Sequence, residues 1–201
     1  MEVKLFGRYG YEGITIKDQS MAQYLSLRPV HLPHSFARHA NVPFAKRKVN
    51  VVERLANKLM RGGTGEKLGG KIIRTHGKLQ GKKTRVIKVI EEAFAEIEKK
   101  TKQNPIQVLI KALECSAPRE EITRVRLGGV SYQVAVDVSA QRRLDMALRN
   151  VALAAILSSF NNKLTLAQAL ANEITLASAN DQSSYSVKRK NETERMAKSA
   201  R

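Results

Sequence analysis

From Asn50 onward the apolar residues recur at helical spacing. In NVVERLANKLM, Val52, Leu55, Ala56 and Leu59 share one face, Asn50 stands where a cap belongs, and the pattern stops at Arg61-Gly62-Gly63. KKTRVIKVIEEAFAEIEKKT resumes it with a stripe of Val86, Ile90, Ala93, Phe94 and Ile97. Asn104-Pro105 opens the next helix as cap and first-turn proline, with Ile106, Leu109, Ile110 and Leu113 as its apolar face. Ser139 is expected to cap AQRRLDMALRNVALAAILSSF, in which Leu144, Leu148, Val151, Ala155 and Phe160 would face a core. Thr165 and Gln168 spell a capping box for LAQALANEITLASA. One stretch breaks the helical period: residues 116–143, SAPREEITRVRLGGVSYQVAVDVSAQRR, read as two strands joined by Gly128-Gly129.

The flanks are less regular. MAQYLSL allows a short helical turn, but RPVHLPHSFARHANVPFAKRKV holds three prolines and scattered apolar residues. Residues 1–48 therefore read as an extended basic arm over a surface. Residues 62–81 are rich in Gly and Lys, with too little periodicity to assign. SSYSVKRKNETERMAKSAR alternates in charge, as a short solvated helix or a tail does. The sum is a mainly α chain: one domain of five or six helices with a hairpin at 121–137, spanning 49–182, an arm before it and a charged tail at 183–201. There is no alternating βαβ order and no internal repeat.

Charge changes the picture most. The 201 residues carry 36 Lys+Arg against 18 Asp+Glu, a formal net charge of +18, and a pI near 10.3. Self-repulsion of that excess opposes compaction, and a polyanion is its natural compensator. The cations are spread along the chain and are not gathered on one amphipathic helix, which disfavours a membrane surface. No apolar run approaches the roughly 18 residues of a span, and MEVKLFGRYGYEG lacks the apolar block of a secretory leader. Cys115 is alone, so no disulfide framework or cysteine zinc site is expected, and a reducing intracellular setting fits.

Two segments carry the candidate chemistry. A primed Gly128-Gly129 turn sets Leu127 opposite Val130, Val125 opposite Tyr132 and Thr123 opposite Val134 on one face of the hairpin. Arg126 then meets Ser131 and Arg124 meets Gln133 on the other. Arginine suits bidentate phosphate contact, so this second face reads as a nucleic-acid contact, against the plainer reading of solvated arginines. Residues 71–88, KIIRTHGKLQGKKTRVIK, hold seven Lys or Arg and no acid, a run suited to phosphate neutralisation.

Two other motifs fail on mechanism. GEKLGGK at 65–71 almost spells a phosphate-binding loop, but Ile72 stands where the magnesium-binding hydroxyl is needed and no strand precedes it. His31, His34 and His39 lack cysteine or acidic companions for a metal and are expected to meet a surface or RNA. No nucleophile elbow or carboxylate pair is present, so neither catalysis, a cofactor nor a small-molecule substrate is expected.

Together these stretches resemble the small-subunit ribosomal protein seven family in its archaeal and eukaryotic branch, called small-subunit protein five in eukaryotes. VERLANKLM, then Gly81-Lys82-Lys83 with Val89-Ile90 and Ala93, is similar to that family's signature. So are Pro118-Arg119-Glu120, Ala135-Val136-Asp137 and Arg142-Arg143, with LFGRYG, PHSFARHA and the lysine-rich end. Residues 61–80 lengthen the connection found in bacterial members. The resemblance implies a helical domain with a protruding hairpin, bound to the 3′ major domain of small-subunit ribosomal RNA, where it nucleates head assembly in the cytoplasmic particle. It also implies a place near the exit-tRNA site and mRNA path, among head proteins and beside the platform protein of the eleven family. Carried over, Arg124, Arg126 and Gln133 would lie near tRNA or mRNA, while Lys82, Lys83, Arg85, Arg119, Arg142 and Arg143 would grip ribosomal RNA. Arg38, Lys46, Arg47, Lys48, Arg54, Lys58, Lys71, Arg74, Lys78, Lys88 and Arg149 complete the expected RNA-contacting set. The competing reading is a free-standing basic helical nucleic-acid-binding protein using ALRNVALAAIL as a recognition helix. That segment is apolar around most of its circumference, which suits a core better than a groove.

Overall fold

Helix starts are written in short polar side chains. In the computed structural model, which describes residues 3–62, 67–68, 71–72 and 77–201, the order is α1 (Gln19–Ala22), 3-10 turns at Arg38–Asn41 and Ala45–Lys48, then α2 (Val51–Leu59). A short ladder, β1 (Lys67–Leu68) with β2 (Lys71–Ile72), leads to α3 (Lys83–Thr101) and α4 (Pro105–Ser116). The hairpin, β3 (Glu120–Leu127) and β4 (Val130–Asp137), is followed by α5 (Ala140–Ser159), α6 (Leu166–Ser178) and α7 (Tyr185–Ser199). Asn50 Oδ1 accepts from the Val52 N–H at 2.9 Å, and Asn104 Oδ1 from Ile106 at 3.1 Å. Thr165 and Gln168 close the capping box, and Ser184 caps α7. Ser139 precedes α5 without a side-chain cap bond. Arg74, the Lys71 side chain and most of the GEKLGGK run lie outside the described residues.

α6 is the hub of the helical packing, touching α3, α4 and α5. Its buried face is mostly alanine, Ala167, Ala171 and Ala177 around Leu170 and Ile174, and small side chains let three helices approach one axis closely. The expected stripes of α2, α3 and α4 are buried, and Phe94 is fully enclosed at the centre. Phe160 ends α5 and is only half-buried against this core. α5 buries Leu144, Ala147, Leu148, Val151, Ala154, Ala155 and Ile156, so most of its circumference is core and only the side carrying Arg142 and Arg149 stays open.

The hairpin pairs in the expected register, from Glu120 opposite Asp137 to Leu127 opposite Val130. Gly128 and Gly129 sit at φ +58° and +85°, the left-handed pair a type I′ turn demands, and a Cβ on either would meet nothing within 4 Å. Backbone conformation, not space, calls for glycine there. α7 packs against the root of the ribbon: Arg201 pairs with Glu120 at 2.5 Å, and Glu194 accepts the Arg119 N–H at 3.0 Å. Beyond the root, Val125, Val130, Tyr132 and Val134 are exposed, so the apolar face projects into solvent and does not lie on the helices.

The N-terminal region departs from the expected arm. Leu5, Tyr9, Met21 and Leu25 are buried in the core, and Phe6 and Tyr9 meet Phe94 edge-on, with ring centroids 6.3 and 6.0 Å away. Its backbone is held by helix side chains where ladders are lacking. Asn50 Nδ2 donates to the Arg28 carbonyl at 2.9 Å, and Asn104 Nδ2 to that of Gly10 at 2.8 Å. Gln107 both accepts from Thr15 N–H and donates to its carbonyl, and Glu114 accepts from the N–H groups of Lys17 and Asp18. The two capping asparagines thus start helices with one atom and fasten the N-terminal chain with the other. Replacing Leu5 with Ala should cost about 2–5 kcal/mol in denaturant unfolding, the range for emptying a core leucine site. An arm lying over a surface would lose under about 0.5 kcal/mol.

Candidate nucleic-acid interface

Three acids are engaged on the inside. Asp145, in the second turn of α5, accepts from Lys46 at 2.5 Å and Arg54 at 3.2 Å, with Lys58 at 3.6 Å. Burial raises its pKa, but the Lys46 hydrogen bond and the attraction of Lys58 and Arg54 outweigh that, and the carboxyl lies below its ordinary value. Glu53, buried on α2, pairs with Lys83 and accepts from the Ser35 N–H and hydroxyl at 2.9 and 2.7 Å. Its pKa is also lowered: the Lys83 and Ser35 bonds overcome the opposing burial. Asp18 binds Arg143 at 2.7 Å and Ser20; burial pushes its carboxyl up, and the Ser20 and Arg143 bonds together bring it below its ordinary value.

Arg54 and Arg143, expected from the sequence to grip RNA, are thereby inside the protein, 3% and 8% exposed. Their charges meet Asp145 and Asp18 because the neighbouring helices pack over them. Lys83 is likewise turned inward to Glu53. Buried cations need a partner within the fold, so these three are structural groups of this chain.

The other cations face out. Lys82, Arg85 and Lys88 are exposed at three-residue spacing along the start of α3. Lys78 and Arg85 border a concavity of about 600 Å³ whose floor includes Val89, Ile156 and Phe160. A larger groove of about 830 Å³ runs between α5 and α7, lined by Lys58, Gln141, Arg142, Arg149, Tyr185 and Arg189. Asp145 is the one acid in that lining. Burial lowers the Lys58 pKa; Asp145 opposes this, and Lys46, Arg61 and Arg149 push it down further. At the edges of the groove Arg189 pairs with Glu192 at 3.1 Å, so the cations here are held on open surface by acids that an incoming anion can replace. Arg142 also holds Glu121 at 2.6 Å across exposed surface, a pair of the kind a phosphate can outcompete.

Arg38, Arg47 and Lys48 are exposed in the 3-10 turns, and Arg119 at the hairpin root. Arg124, Arg126 and Gln133 project from one side of the ribbon. The structure therefore brings Lys58, Arg142 and Arg149 together around one groove and leaves the hairpin set on a separate projection. Tyr185 and Arg189 were missed, because 183–201 read as a solvated tail. The signal was present: from a Ser184 cap, Tyr185, Arg189 and Thr193 recur at four-residue spacing and share a face. The three histidines are separately engaged. His34 lies tilted against the Phe36 ring, His39 Nδ1 lies 3.2 Å from the Ser35 hydroxyl, and the His31 carbonyl accepts from the Phe6 N–H. Among the described residues no three His, Cys, Asp or Glu side chains converge as a metal site, and no helix is long and apolar enough to cross a membrane.

A group whose folded pKa is depressed contributes stability that is complete above its unfolded pKa and is lost as pH falls through the folded value. Stability should therefore be flat near neutrality and decline below about pH 4, as Asp145, Glu53 and Asp18 protonate. Asp145→Asn should remove about 3 kcal/mol at pH 7, by stranding buried Arg54, and should flatten the acid limb in pH-dependent urea unfolding.

With this geometry in view, comparison with known proteins is direct. The model of the family described as ribosomal protein S7p/S5e matches residues 21–201. A relative named small ribosomal subunit protein uS7, from a strain of Methanococcus maripaludis, is 48% identical over 202 residues, covering 100% of both chains. The protein of that name from Archaeoglobus fulgidus is 46% identical over 200 residues, covering 100% of this chain and 96% of its own. A match of that extent, on a helical domain with a projecting ribbon and a strong positive excess, means that the chain belongs to the ribosomal protein S7p/S5e family.

Proposed function

We propose that this chain is a non-catalytic structural constituent of the small ribosomal subunit, working in the cytoplasm and bound through its outward cations to small-subunit ribosomal RNA. The observation that carries the reading is the division of charge. Buried carboxylates neutralise the cations the fold must enclose, while Lys82, Arg85, Lys88, Arg142, Arg149 and Arg189 face solvent. Relatives named for the small subunit, similar over the whole chain, support the same partner.

In finer detail, the α3 start and the α5–α7 groove hold RNA of the 3′ major domain and so nucleate assembly of the head. The hairpin, with Arg124, Arg126 and Gln133, reaches toward exit-site tRNA and mRNA, beside other head proteins and the platform protein of the eleven family. The mechanism is neutralisation: fixed cations lower the repulsion between RNA helices that must pack around one rigid body. Since the A-form major groove excludes side chains, recognition rests on shape and phosphate position. Burial of Leu148, Val151, Ala152, Ala154, Ala155 and Ile156 weighs against a free-standing protein inserting that segment into a DNA groove.

Affinity for small-subunit RNA should fall steeply with salt. Changing Lys82, Arg85 and Lys88 to Gln should reduce the slope of log affinity against log salt by about 2–3. The corresponding Glu variant should fail to co-sediment with small subunits, while a slope unchanged by the triple replacement would remove α3 from the interface. Lys83 is best left intact in that test, because its loss would strand buried Glu53. Replacing Arg124 and Arg126 together with Ala should leave subunit incorporation intact and weaken exit-site tRNA retention. A double variant absent from subunits would make the hairpin an assembly element instead.

A further inference from the structure

Two of the five phenylalanines are on the surface, and both fall in one nine-residue stretch. Phe94 is buried, and Phe6 and Phe160 pack against the core, yet Phe36 is 72% exposed and Phe44 78%. Neither ring is left out by slack chain. Phe36, Ala37 and Phe44 hold φ of +51°, +58° and +56°, a left-handed conformation that costs a residue with a Cβ free energy. Ala37 and Phe44 are the entry residues of the two 3-10 turns.

The stretch is fastened at both ends: Ser35 to buried Glu53, and Lys46 to Asp145. The Phe36 N–H donates to His34 Nδ1 at 3.0 Å, and the two rings lie 4.3 Å apart at an interplanar angle of 45°, so His34 buttresses Phe36 at a tilt. Around them the chain has no Asp or Glu from Gln19 through Val52, while Arg38, Arg47 and Lys48 are exposed beside the rings. Backbone strain, tethering and exposed apolar rings together describe a display surface for a ligand, and the charge says the ligand is anionic.

We infer that Phe36 and Phe44 are base-stacking residues: they receive unpaired nucleotides of the bound RNA while Arg38, Arg47 and Lys48 hold the adjoining phosphates. Exposed aromatic plates interleaved with cations make a platform for single-stranded nucleic acid, since each base offers a π face and the backbone a charge. Paired RNA keeps its base faces stacked away, so the occupant is a loop, bulge or end. The inference rests on RNA as the partner, as proposed above, and adds an apolar, salt-independent contact to it.

The chain contains no Trp, so Phe36→Trp and Phe44→Trp each introduce a single reporter. Titrated with a small-subunit ribosomal RNA transcript, full-length variants should lose more than about half their tryptophan emission, as stacked indoles do. A fully paired RNA duplex retained by the same protein on filters should leave the emission unchanged. Phe36→Ala and Phe44→Ala should each weaken transcript binding roughly tenfold without altering the salt slope, whereas Arg47→Gln should reduce that slope. The exposure of both rings means these variants fold, which circular dichroism verifies. Unquenched tryptophan in a complex that filters show to have formed overturns the stacking role and leaves RNA binding standing. Absence of any complex overturns both readings. Emission that changes only when another small-subunit protein is added assigns the rings to protein docking and also overturns the inference.

Discussion

A surplus of positive charge that the chain cannot cancel from within governs where its carboxylates sit. With 18 acids against 36 Lys and Arg, there is no pairing that leaves a neutral surface. The acids that matter most are those at which enclosing a cation would otherwise be prohibitive. Asp145 holds Arg54, Glu53 holds Lys83 and Asp18 holds Arg143, each where helices or the N-terminal chain close over the pair. The same pairs join distant parts: Lys46 to α5, Ser35 to α2, Asp18 to α5. Electrostatic necessity and assembly of the fold are met by the same bonds.

The outside follows from the inside. Once Arg54, Lys83 and Arg143 are taken inward, the remaining cations lie on open surface, and the α5–α7 groove collects Arg142, Arg149 and Arg189, with Lys58 of α2, around Asp145. The ribbon shows the same asymmetry in another form. Its root is tied to α7 and α5 through Glu120, Glu121 and Arg119, and its outer half has arginines on one side and uncovered valines and a tyrosine on the other. A two-stranded ribbon is marginal alone in water. It keeps its shape here through the I′ turn at one end and these ties at the other.

Much of this was legible beforehand. Helix positions, caps, buried stripes and the hairpin register depend on neighbours a few residues apart, and periods of 3.6 and 2 report them directly. Asn50, Asn104 and Thr165 perform locally what their spacing announces. Family membership was legible too, because its motifs are contiguous. Residues 3–27 pack into the core where an arm was expected, because their order comes from no repeating pattern: Gln107, Glu114 and Asn104 satisfy that backbone from far along the chain, while 28–48 lie mostly on the surface.

Local sequence alone determined the helices from α2 to α6, the hairpin with its turn geometry, the total charge and its implied polyanionic partner, since each is a property of composition or short spacing. Only the tertiary structure decided which cations are available. Arg54 and Arg143 look like Arg142 and Arg149 in the sequence, and what separates them is whether neighbouring chain packs overhead: Arg142 has a carboxylate beside it too, in Glu121, but on open surface. That is a fact of three-dimensional neighbours, which no one-dimensional period encodes.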